Sequence, residues 1–302
     1  MPDRTVSLTN PSGSGLRAAL PGLDAATIAL LARPAAERRE IRPLVERRGE
    51  HVVALLLVPF HDDAANAVVY RELNAVLSAD RLVTVRRQAT DGGLAAAPRL
   101  EEAGAEGREA DTLFHILFDD VAEAFLEVID GIYGEVDELE DEVDALTGEE
   151  TRLRLGGLRH DVLHARKNVS ALRSAVRRVT DGRLDHAAGG AQPLLSREVE
   201  AAFADTYDTL VRATEELDVA RDLLSGVRDH LQARVAERQN EVVKKLTVVA
   251  SLVLVPTLIT GFYGQNFAPA FESAWWSIGT SVGLIAGTTV LQLAFFRWKR
   301  WI

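Results

Sequence analysis

The sequence predicts an α+β protein with an N-terminal α/β domain, a long helical stalk and two C-terminal transmembrane helices. Two stretches near the C-terminal end, from Leu246 to Phe271 and from Ser273 to Phe296, contain no charged side chain. Each exceeds the roughly 20 residues that a helix needs to cross the hydrocarbon of a bilayer. From about Asp111 onward the apolar residues recur at helical spacing, whereas short strand-like apolar runs occur only before it.

The first hundred residues carry the signals of a mixed layer of strands and helices. The run His51–Val58 is short, almost wholly apolar and followed by Pro59, which indicates a buried strand. Leu82–Val85 predicts another strand, with the segment around Val68–Val76 as its candidate partner. Leu23–Leu31 predicts a short helix, so we expect an α/β layer here.

Two helices of opposite charge are predicted next. An apolar seam with alternating steps of four and three comprises Phe125, Ile129, Ile132, Val136, Leu139, Val143 and Leu146. The other face of this helix is acidic from Glu135 to Asp144, and the helix after Gly148 is rich in arginine. Opposite charges and a short turn predict an antiparallel pair. The acidic run is either a cation-binding face or simply solvated, and solvation is the simpler interpretation.

A long stalk helix is predicted after a break from Asp181 to Pro193, with Ser196 as its N-cap. One heptad series on it is apolar: Phe203, Leu210, Leu217, Leu224 and Leu231. A second, here called the polar stripe, comprises Asp208, Glu215, Asp222, Asp229, Ala236, Val243, Ala250, Thr257 and Gly264. A straight helix drifts about 20° per heptad, so the polar stripe keeps one direction only if the helices supercoil or tilt. It either lines an axis shared by several copies, or its acids merely face solvent.

The distribution of charge bears on partners and on orientation. From Glu241 onward five basic and two acidic residues give +3, which leaves −14 for residues 1–240 of the total of −11. So acidic a body argues against nucleic acid as a partner and suits cations. Basic residues flank both apolar stretches, so we expect a multi-pass protein of the cell membrane with both termini in the cytoplasm. Tryptophans bracket the second span, as in an interfacial aromatic belt. The absence of cysteine excludes disulfides and thiolate metal sites, and the N-terminus lacks the pattern of a signal peptide.

The turn between the spans has the chemistry of an ion entrance. The first span ends in Gly261-Phe262-Tyr263-Gly264, which can unwind locally because glycine tolerates conformations closed to other residues. Freed carbonyl oxygens together with the amide of Asn266 would form a neutral polar funnel. Neutral oxygens suit Mg²⁺, which loses its hydration water reluctantly. In the second span, Gly279, Gly283 and Gly287 stand at a spacing that lets helices approach closely, which favours a packing role.

These motifs resemble those of the CorA family of divalent-cation transporters. The similarity rests on Asn240–Thr247, Pro256-Thr257, Gly261–Phe267, the tail Lys299–Ile302 and the element Asp205-Thr206-Tyr207-Asp208. It is strong from about residue 205 to residue 267 and weaker across residues 40–180. The resemblance implies a homopentameric funnel in which the stalk helix continues as the pore-lining first span and the second span surrounds it.

The resemblance also implies roles for particular residues. Gly264, Gln265 and Asn266 would form the selectivity filter, and Glu272 in the outer loop would concentrate cations. Asp205, with Asp208, would bind a regulatory intracellular ion between subunits; Mg²⁺ would be both transported and regulatory, with no organic cofactor. The implied pore-lining residues are Thr257, Ala250, Leu246, Val243, Asn240 and Asp229, of which Val243 and Leu246 form a hydrophobic constriction.

The predicted domains follow from these assignments. They are a cytoplasmic α/β domain (1–110), an antiparallel helical pair (111–190), a stalk helix (196–245), a pore-lining transmembrane helix (246–264), an outer loop (265–274), a second transmembrane helix (275–298) and a basic cytoplasmic tail (299–302).

Several functions compete for this scaffold. The first is a gated Mg²⁺ channel that also passes Co²⁺ or Ni²⁺. The second is a Zn²⁺ importer, with or without proton coupling, because Gln265 replaces the family's usual Met, and some relatives with a changed middle residue, such as the ZntB group, resemble Zn²⁺ transporters. The outer loop also lacks the family's usual Met-Pro-Glu-Leu. A third is a membrane-anchored sensor that does not conduct. An enzyme is disfavoured, since phosphate-binding and metalloprotease motifs are missing. His160 and His164 could hold a metal, but no third ligand is evident and ordinary surface histidines are the simpler interpretation.

Overall fold

The computed structural model describes residues 4–33, 42–62, 66–89, 92–142, 148–186, 193–264 and 274–301. The chain forms two compact units, Met1–Val227 and Arg228–Ile302. The fold is an N-terminal α/β body followed by a long helix and a second apolar helix, as the sequence predicts.

A five-stranded mixed sheet forms the centre of the first unit. Its strands are β1 (Thr5–Thr9), β2 (Leu44–Arg48), β3 (His51–Asp62), β4 (Ala67–Leu77) and β5 (Leu82–Arg86), arranged in the order β1-β5-β4-β3-β2. The β1–β5 pair is parallel, and the other three described pairs are antiparallel. The predicted pairing of β5 with β4 is confirmed, with Val83 opposite Val76.

Both faces of the sheet are covered, which explains the continuous apolar run in β3. Helices α1 (Gly13–Ala19) and α2 (Ala25–Ala32) share one apolar core with Val53 and Leu55. Val52, Ala54 and Leu56 belong instead to the larger core around the later helices. Successive residues of a strand point to opposite faces, so a strand buried on both sides shows no polar alternation.

In the described residues after the sheet there are six helices. They are α3 (Pro98–Ala105), α4 (Ala110–Glu142), α5 (Gly148–Thr180), α6 (Arg183–His186), α7 (Arg197–Gly264) and α8 (Ala274–Trp298). Helix α5 ends at Thr180, where the predicted break begins, and the short helix α6 lies within that break. The predicted N-cap is confirmed, because the Ser196 hydroxyl accepts a hydrogen bond from the backbone N–H of Val199 at 3.3 Å.

Helices α4 and α5 pair through the predicted seam and through one arginine. Phe125, Ile129, Ile132, Val136 and Leu139 are buried, whereas Val143 and Leu146 lie outside the described residues. The guanidinium of Arg154 on α5 lies 3.1 Å from Glu135, 3.2 Å from Glu138 and 2.8 Å from Glu142 on α4. Much of the acidic face near this end therefore serves the pairing of the two helices.

The N-terminal part of α7 is part of the same core. Phe203 is fully buried, and its ring centroid lies 6.1 Å from that of Phe114 and 5.3 Å from that of Phe118, both on α4. Arg166 on α5 forms an ion pair with Asp218 at 2.7 Å. Leu210, Leu217 and Leu224 are buried in the same core, so this heptad series is the face of α7 that packs on the body.

Candidate functional site

Among the described residues, two helices are long and apolar enough to cross a membrane, judged by length and composition. They are α7 and the part of α8 from Ile278 to Trp298. Only 6% of the apolar window of α7, and none of that of α8, is buried inside the chain. A core helix of a soluble protein would be covered by its own fold, whereas these windows offer their side chains to surroundings outside the chain.

The two apolar helices are joined by a hydrogen bond, and each has a few buried side chains. Val248 and Ile259 of α7 and Phe296 of α8 are buried. The side-chain amide of Gln292 donates a hydrogen bond from Nε2 to the backbone oxygen of Ser251 at 3.2 Å. A polar side chain in hydrocarbon is costly and needs such a partner, so Gln292 is a positioning residue that the sequence reasoning missed. Its isolation within an apolar run was the available signal.

The hydroxyl groups of the first span donate to their own helix. Thr247 donates to Val243 O at 2.8 Å, and Thr257 donates to Val253 O at 2.7 Å. A hydroxyl whose proton is used in this way keeps oxygen lone pairs for another donor. Because Thr257 is exposed, that acceptor is open to a water molecule or a cation beside the helix.

The first span stays helical as far as Gly264. The local unwinding that these glycines permit does not occur: α7 includes all four residues. A helical backbone satisfies its own polar groups, which hydrocarbon demands. The last four carbonyl groups of a helix have no intrahelical partner, so helix termination itself supplies the free oxygens. The predicted filter residues Gln265 and Asn266, and Glu272 of the outer loop, lie outside the described residues.

Every member of the polar stripe is exposed on the single chain. This holds for Asp208, Glu215 and Asp222 in the first unit, and it holds in the second unit for Asp229, Ala236, Val243, Ala250, Thr257 and Gly264. The predicted pore-lining residues Asn240 and Leu246 are exposed as well. In contrast, the apolar heptad series is buried up to Leu224 and half-buried at Leu231. The two heptad series thus have different environments, and the polar stripe remains available to other molecules.

The element around Asp205 combines an exposed and a buried part. The side chains of Asp205 and Asp208 are exposed. Thr206 between them is fully buried, and its hydroxyl lies 3.2 Å from Nε2 of His115 and 3.4 Å from Oδ1 of Asp119 on α4. The structure therefore holds the backbone of this element rigidly against α4 while its carboxylates point away from the core.

No complete metal site is present in the described part of one chain. Among those residues, no three His, Cys, Asp or Glu side chains come together in a way that could hold a metal ion. Two carboxylates of unusual pKa serve the fold instead: burial raises the pKa of Asp120, which accepts the backbone N–H of Leu100, and that of Asp161, which accepts the N–H of Val68. A site at Asp205 would therefore need ligands from elsewhere.

The glycine series of α8 is also open. Within the described residues, nothing lies within 4 Å of a Cβ built on Gly279, Gly283 or Gly287. The close helix approach expected there does not occur with α7 of the same chain, so the packing role predicted for these glycines depends on contacts outside the single chain.

An α/β body, a helix pair and two apolar helices with little cover define a two-span membrane protein. The chain belongs to the CorA-like Mg²⁺ transporter protein family, whose model matches residues 18–300. This is a family of transporters and not a class of enzymes.

Comparison with known proteins agrees with this assignment. The chain is 28% identical over 196 residues to a cobalt/magnesium transport protein CorA of Thermotoga maritima, in a match that covers 65% of this chain and 54% of that protein. The matched stretch spans about half the length of the curated relatives, with 54%, 56% and 46% covered in three of them.

Solved structures share the fold at low sequence identity. The complete CorA magnesium transporter from Methanocaldococcus jannaschii matches with a TM-score of 0.79 at 18% identity, over 99% of this chain and 91% of that one. The ZntB cytoplasmic domain from Vibrio parahaemolyticus matches with a TM-score of 0.57 at 13% identity, over 77% and 88%. These likenesses establish the fold alone.

Proposed function

We propose that this chain is the subunit of a homopentameric, gated channel that carries divalent cations, chiefly Mg²⁺ and also Co²⁺ or Ni²⁺, across the cell membrane. The observation that carries the proposal is the exposure of the whole polar stripe, while the apolar series of the same helix is buried up to Leu224. Exposed carboxylates that lead to small and hydroxyl side chains in an apolar span suit the wall of an ion pathway. The name of the family and those of its transport relatives support the ion class.

In this proposal the polar stripes of five copies surround the conduction axis. The carboxylates up to Asp229 raise the local concentration of cations on the cytoplasmic side. Val243 and Leu246 form the hydrophobic constriction, which closes by excluding water. The small side chain of Ala250 leaves room for the hydrated ion. The Thr257 hydroxyls accept hydrogen bonds from the water that surrounds the ion.

The outer entrance is assigned to the end of α7. The free carbonyl groups of Gly261–Gly264 carry the negative end of the helix dipole. Together with Gln265 and Asn266 they present neutral oxygens. Such oxygens suit an Mg²⁺ ion that keeps its hydration water and is not coordinated directly by a full set of protein ligands. Glu272 adds one carboxylate per copy at the entrance. We assign both termini to the cytoplasm, because the basic residues next to the spans lie at the ends that carry the termini, and such residues stay in the cytoplasm.

Regulation is assigned to Asp205, assisted by Asp208. Mg²⁺ bound there with oxygens of a neighbouring copy would stabilise the closed pentamer, and its loss would shift the population towards the open one. The burial of Thr206 supports this role, since a rigid backbone transmits a small displacement of the carboxylate to the core.

The decisive experiment is cation influx into liposomes that contain the purified protein, with and without a pH gradient. We expect Mg²⁺ influx that is indifferent to the gradient. Asn266→Ala should abolish influx while the oligomer stays intact, and Asp205→Ala should reduce inhibition by internal Mg²⁺. As a matched control, Val219→Ala changes an exposed apolar residue of α7 outside the polar stripe. Undiminished influx in Asn266→Ala would refute the filter, and unchanged inhibition in Asp205→Ala would refute the sensor.

The same experiment tests the alternative of a Zn²⁺ importer. Two observations favour this alternative: Gln265 stands where the family usually has Met, and the cytoplasmic fold resembles that of ZntB. Zn²⁺ influx accelerated by a proton gradient, together with slow Mg²⁺ influx, would establish it. Absence of any cation flux in an intact oligomer would favour a non-conducting sensor.

A further inference from the structure

Two histidines on α5 stand one helical turn apart and outside the proposed ion pathway. The segment reads His160-Asp161-Val162-Leu163-His164, and residues at i and i+4 project from the same side of a helix. The imidazole rings lie with their centroids 4.2 Å apart and their planes inclined by 35°. His160 is exposed and His164 is half-buried, so the ring pair opens to solvent on one side.

The residue between them has a structural task that fixes this turn of α5. Asp161 is 7% exposed, and its Oδ2 accepts the backbone N–H of Val68 at the start of β4 at 3.0 Å. This hydrogen bond ties the turn that carries both imidazoles to the sheet. The same hydrogen bond distinguishes this segment from the metalloprotease motif, in which the acid beside the first histidine acts as general base. The Asp161 carboxylate points into the fold, away from the outer side on which His160 lies, so it is not available as a general base.

Space for a hydrated ion exists on the preceding turn. Gly156 and Gly157 lie four residues before His160 and Asp161, and nothing in the described structure lies within 4 Å of a Cβ built on either glycine. An ion held by the two imidazoles can therefore keep water molecules as its other ligands. This arrangement is consistent with the absence, in the described residues, of any group of three or more protein ligands.

The ligand type selects the ion. Imidazole nitrogen binds Zn²⁺, Ni²⁺, Co²⁺ and Cu²⁺ well, whereas Mg²⁺ prefers oxygen ligands and water. A pair of histidines at i and i+4 on a helix is also the arrangement with which zinc metalloproteases hold their ion. The chain has no cysteine, so nitrogen donors are the softest ligands that it offers apart from its single methionine.

We propose that His160 and His164 form a two-imidazole binding site for a first-row transition-metal dication on the outer surface of α5. The site is chemically distinct from the carboxylates and neutral oxygens assigned to Mg²⁺, and it binds Ni²⁺, Co²⁺ or Zn²⁺ in the presence of excess Mg²⁺. The inference stands on α5 alone and does not depend on the conduction proposed above.

Binding of Ni²⁺ to the purified full-length protein tests the site. Isothermal titration is carried out in a large excess of Mg²⁺, which occupies oxygen sites. We expect one Ni²⁺ per chain, and His160→Ala or His164→Ala should weaken binding by about tenfold or more, since each removes a direct ligand. His230→Ala is the matched control, because His230 is an exposed histidine of α7 without a partner at this spacing, and its affinity should equal that of the unmodified protein.

A second measurement needs no variant and guards against a change in folding. Histidines of the unmodified protein are acylated with diethyl pyrocarbonate, with and without Ni²⁺, and the modified peptides are quantified by mass spectrometry. We expect Ni²⁺ to protect His160 and His164 and to leave His230 reactive. Equal reactivity with and without the metal, displacement of Ni²⁺ by Mg²⁺, or unweakened binding in both alanine variants would overturn the proposal.

Discussion

The anchoring of the stalk helix to the α/β body is testable through one side chain. Phe203 on α7 has no exposed surface and packs against Phe114 and Phe118 of α4. Its ring also meets that of His115 edge-on, with the centroids 5.0 Å apart. Truncation of a fully buried Phe to Ala removes its transfer free energy and leaves a cavity, which together cost about 3–5 kcal/mol.

The magnitude follows from the surroundings of the ring. Three aromatic neighbours on one rigid helix leave little freedom to collapse into the cavity, so we expect Phe203→Ala to lie near the upper part of that range. For a unit of this size, each kcal/mol lowers Tm by about 2–4 °C, which predicts a fall of roughly 6–20 °C. Val219→Ala is the control, since Val219 lies on the same helix but is 52% exposed.

The composition of the chain supplies a selective assay. All four tryptophans, Trp275, Trp276, Trp298 and Trp301, lie in the C-terminal part. Far-ultraviolet circular dichroism in detergent follows both units, whereas tryptophan fluorescence follows only the membrane unit. We expect Phe203→Ala to lower the dichroism transition and to leave the fluorescence transition in place. A loss of stability below about 1 kcal/mol would refute the reasoning, as would a parallel fall of the fluorescence transition.

Two further predictions concern a buried carboxyl and a polar contact in the membrane. Burial raises the pKa of Asp120, so its ionised form costs stability in full above that folded-state pKa; the cost shrinks as the pH falls from there and is gone below the ordinary pKa of an aspartate. Asp120→Asn keeps an acceptor for the N–H of Leu100, and it should therefore raise Tm at neutral pH by an amount that shrinks on acidification. Gln292→Met keeps the volume but removes the hydrogen bond to Ser251, worth about 0.6 kcal/mol in such proteins; the tryptophan transition should fall slightly and the body should be unaffected.

Each of these changes has its own control. Asp119→Asn alters the neighbouring carboxylate, which is ion-paired with Arg99 at 2.7 Å, and it should destabilise the protein at neutral pH. A Tm difference for Asp120→Asn that grows on acidification would contradict the assigned pKa direction. Thr288→Val is the control in the membrane unit, because the Thr288 hydroxyl donates to Leu284 O of its own helix at 2.7 Å. A tryptophan transition that moves for Thr288→Val and not for Gln292→Met would contradict the role of Gln292.

Elements with a local or periodic signal were predictable. The two apolar stretches, the N-cap at Ser196, the strand at His51–Val58 and the buried heptad of Phe203 are all encoded within a few residues of themselves. Burial in these elements follows from spacing, because a helix or a strand repeats its faces at a fixed period.

Elements without such a signal were not predictable. Helix α3 forms in an acidic, glycine-containing segment that carries weak propensity, and it is held by the buried carboxylate of Asp120 on another helix. The helix also continues through Gly261–Gly264, since glycine permits an irregular backbone but does not require it.

Some features of the candidate site were likewise predictable from the sequence, and others were not. The heptad spacing alone separates the polar stripe from the apolar series, and the stripe is exposed on the single chain. The contacts of Thr206 with His115 and of Gln292 with Ser251 join residues far apart in the chain. No local pattern encodes the partner of a single polar side chain.

The sequence by itself determined that this chain has an acidic body, two apolar spans and one helix with an apolar and a polar heptad series. Only the tertiary structure decided that β1 pairs in parallel with β5, that Arg154 gathers three carboxylates, and that Asp161 ties α5 to β4. The physical reason is that periodic burial is a property of one segment, whereas a hydrogen bond or an ion pair between distant segments exists only after the core has brought them together.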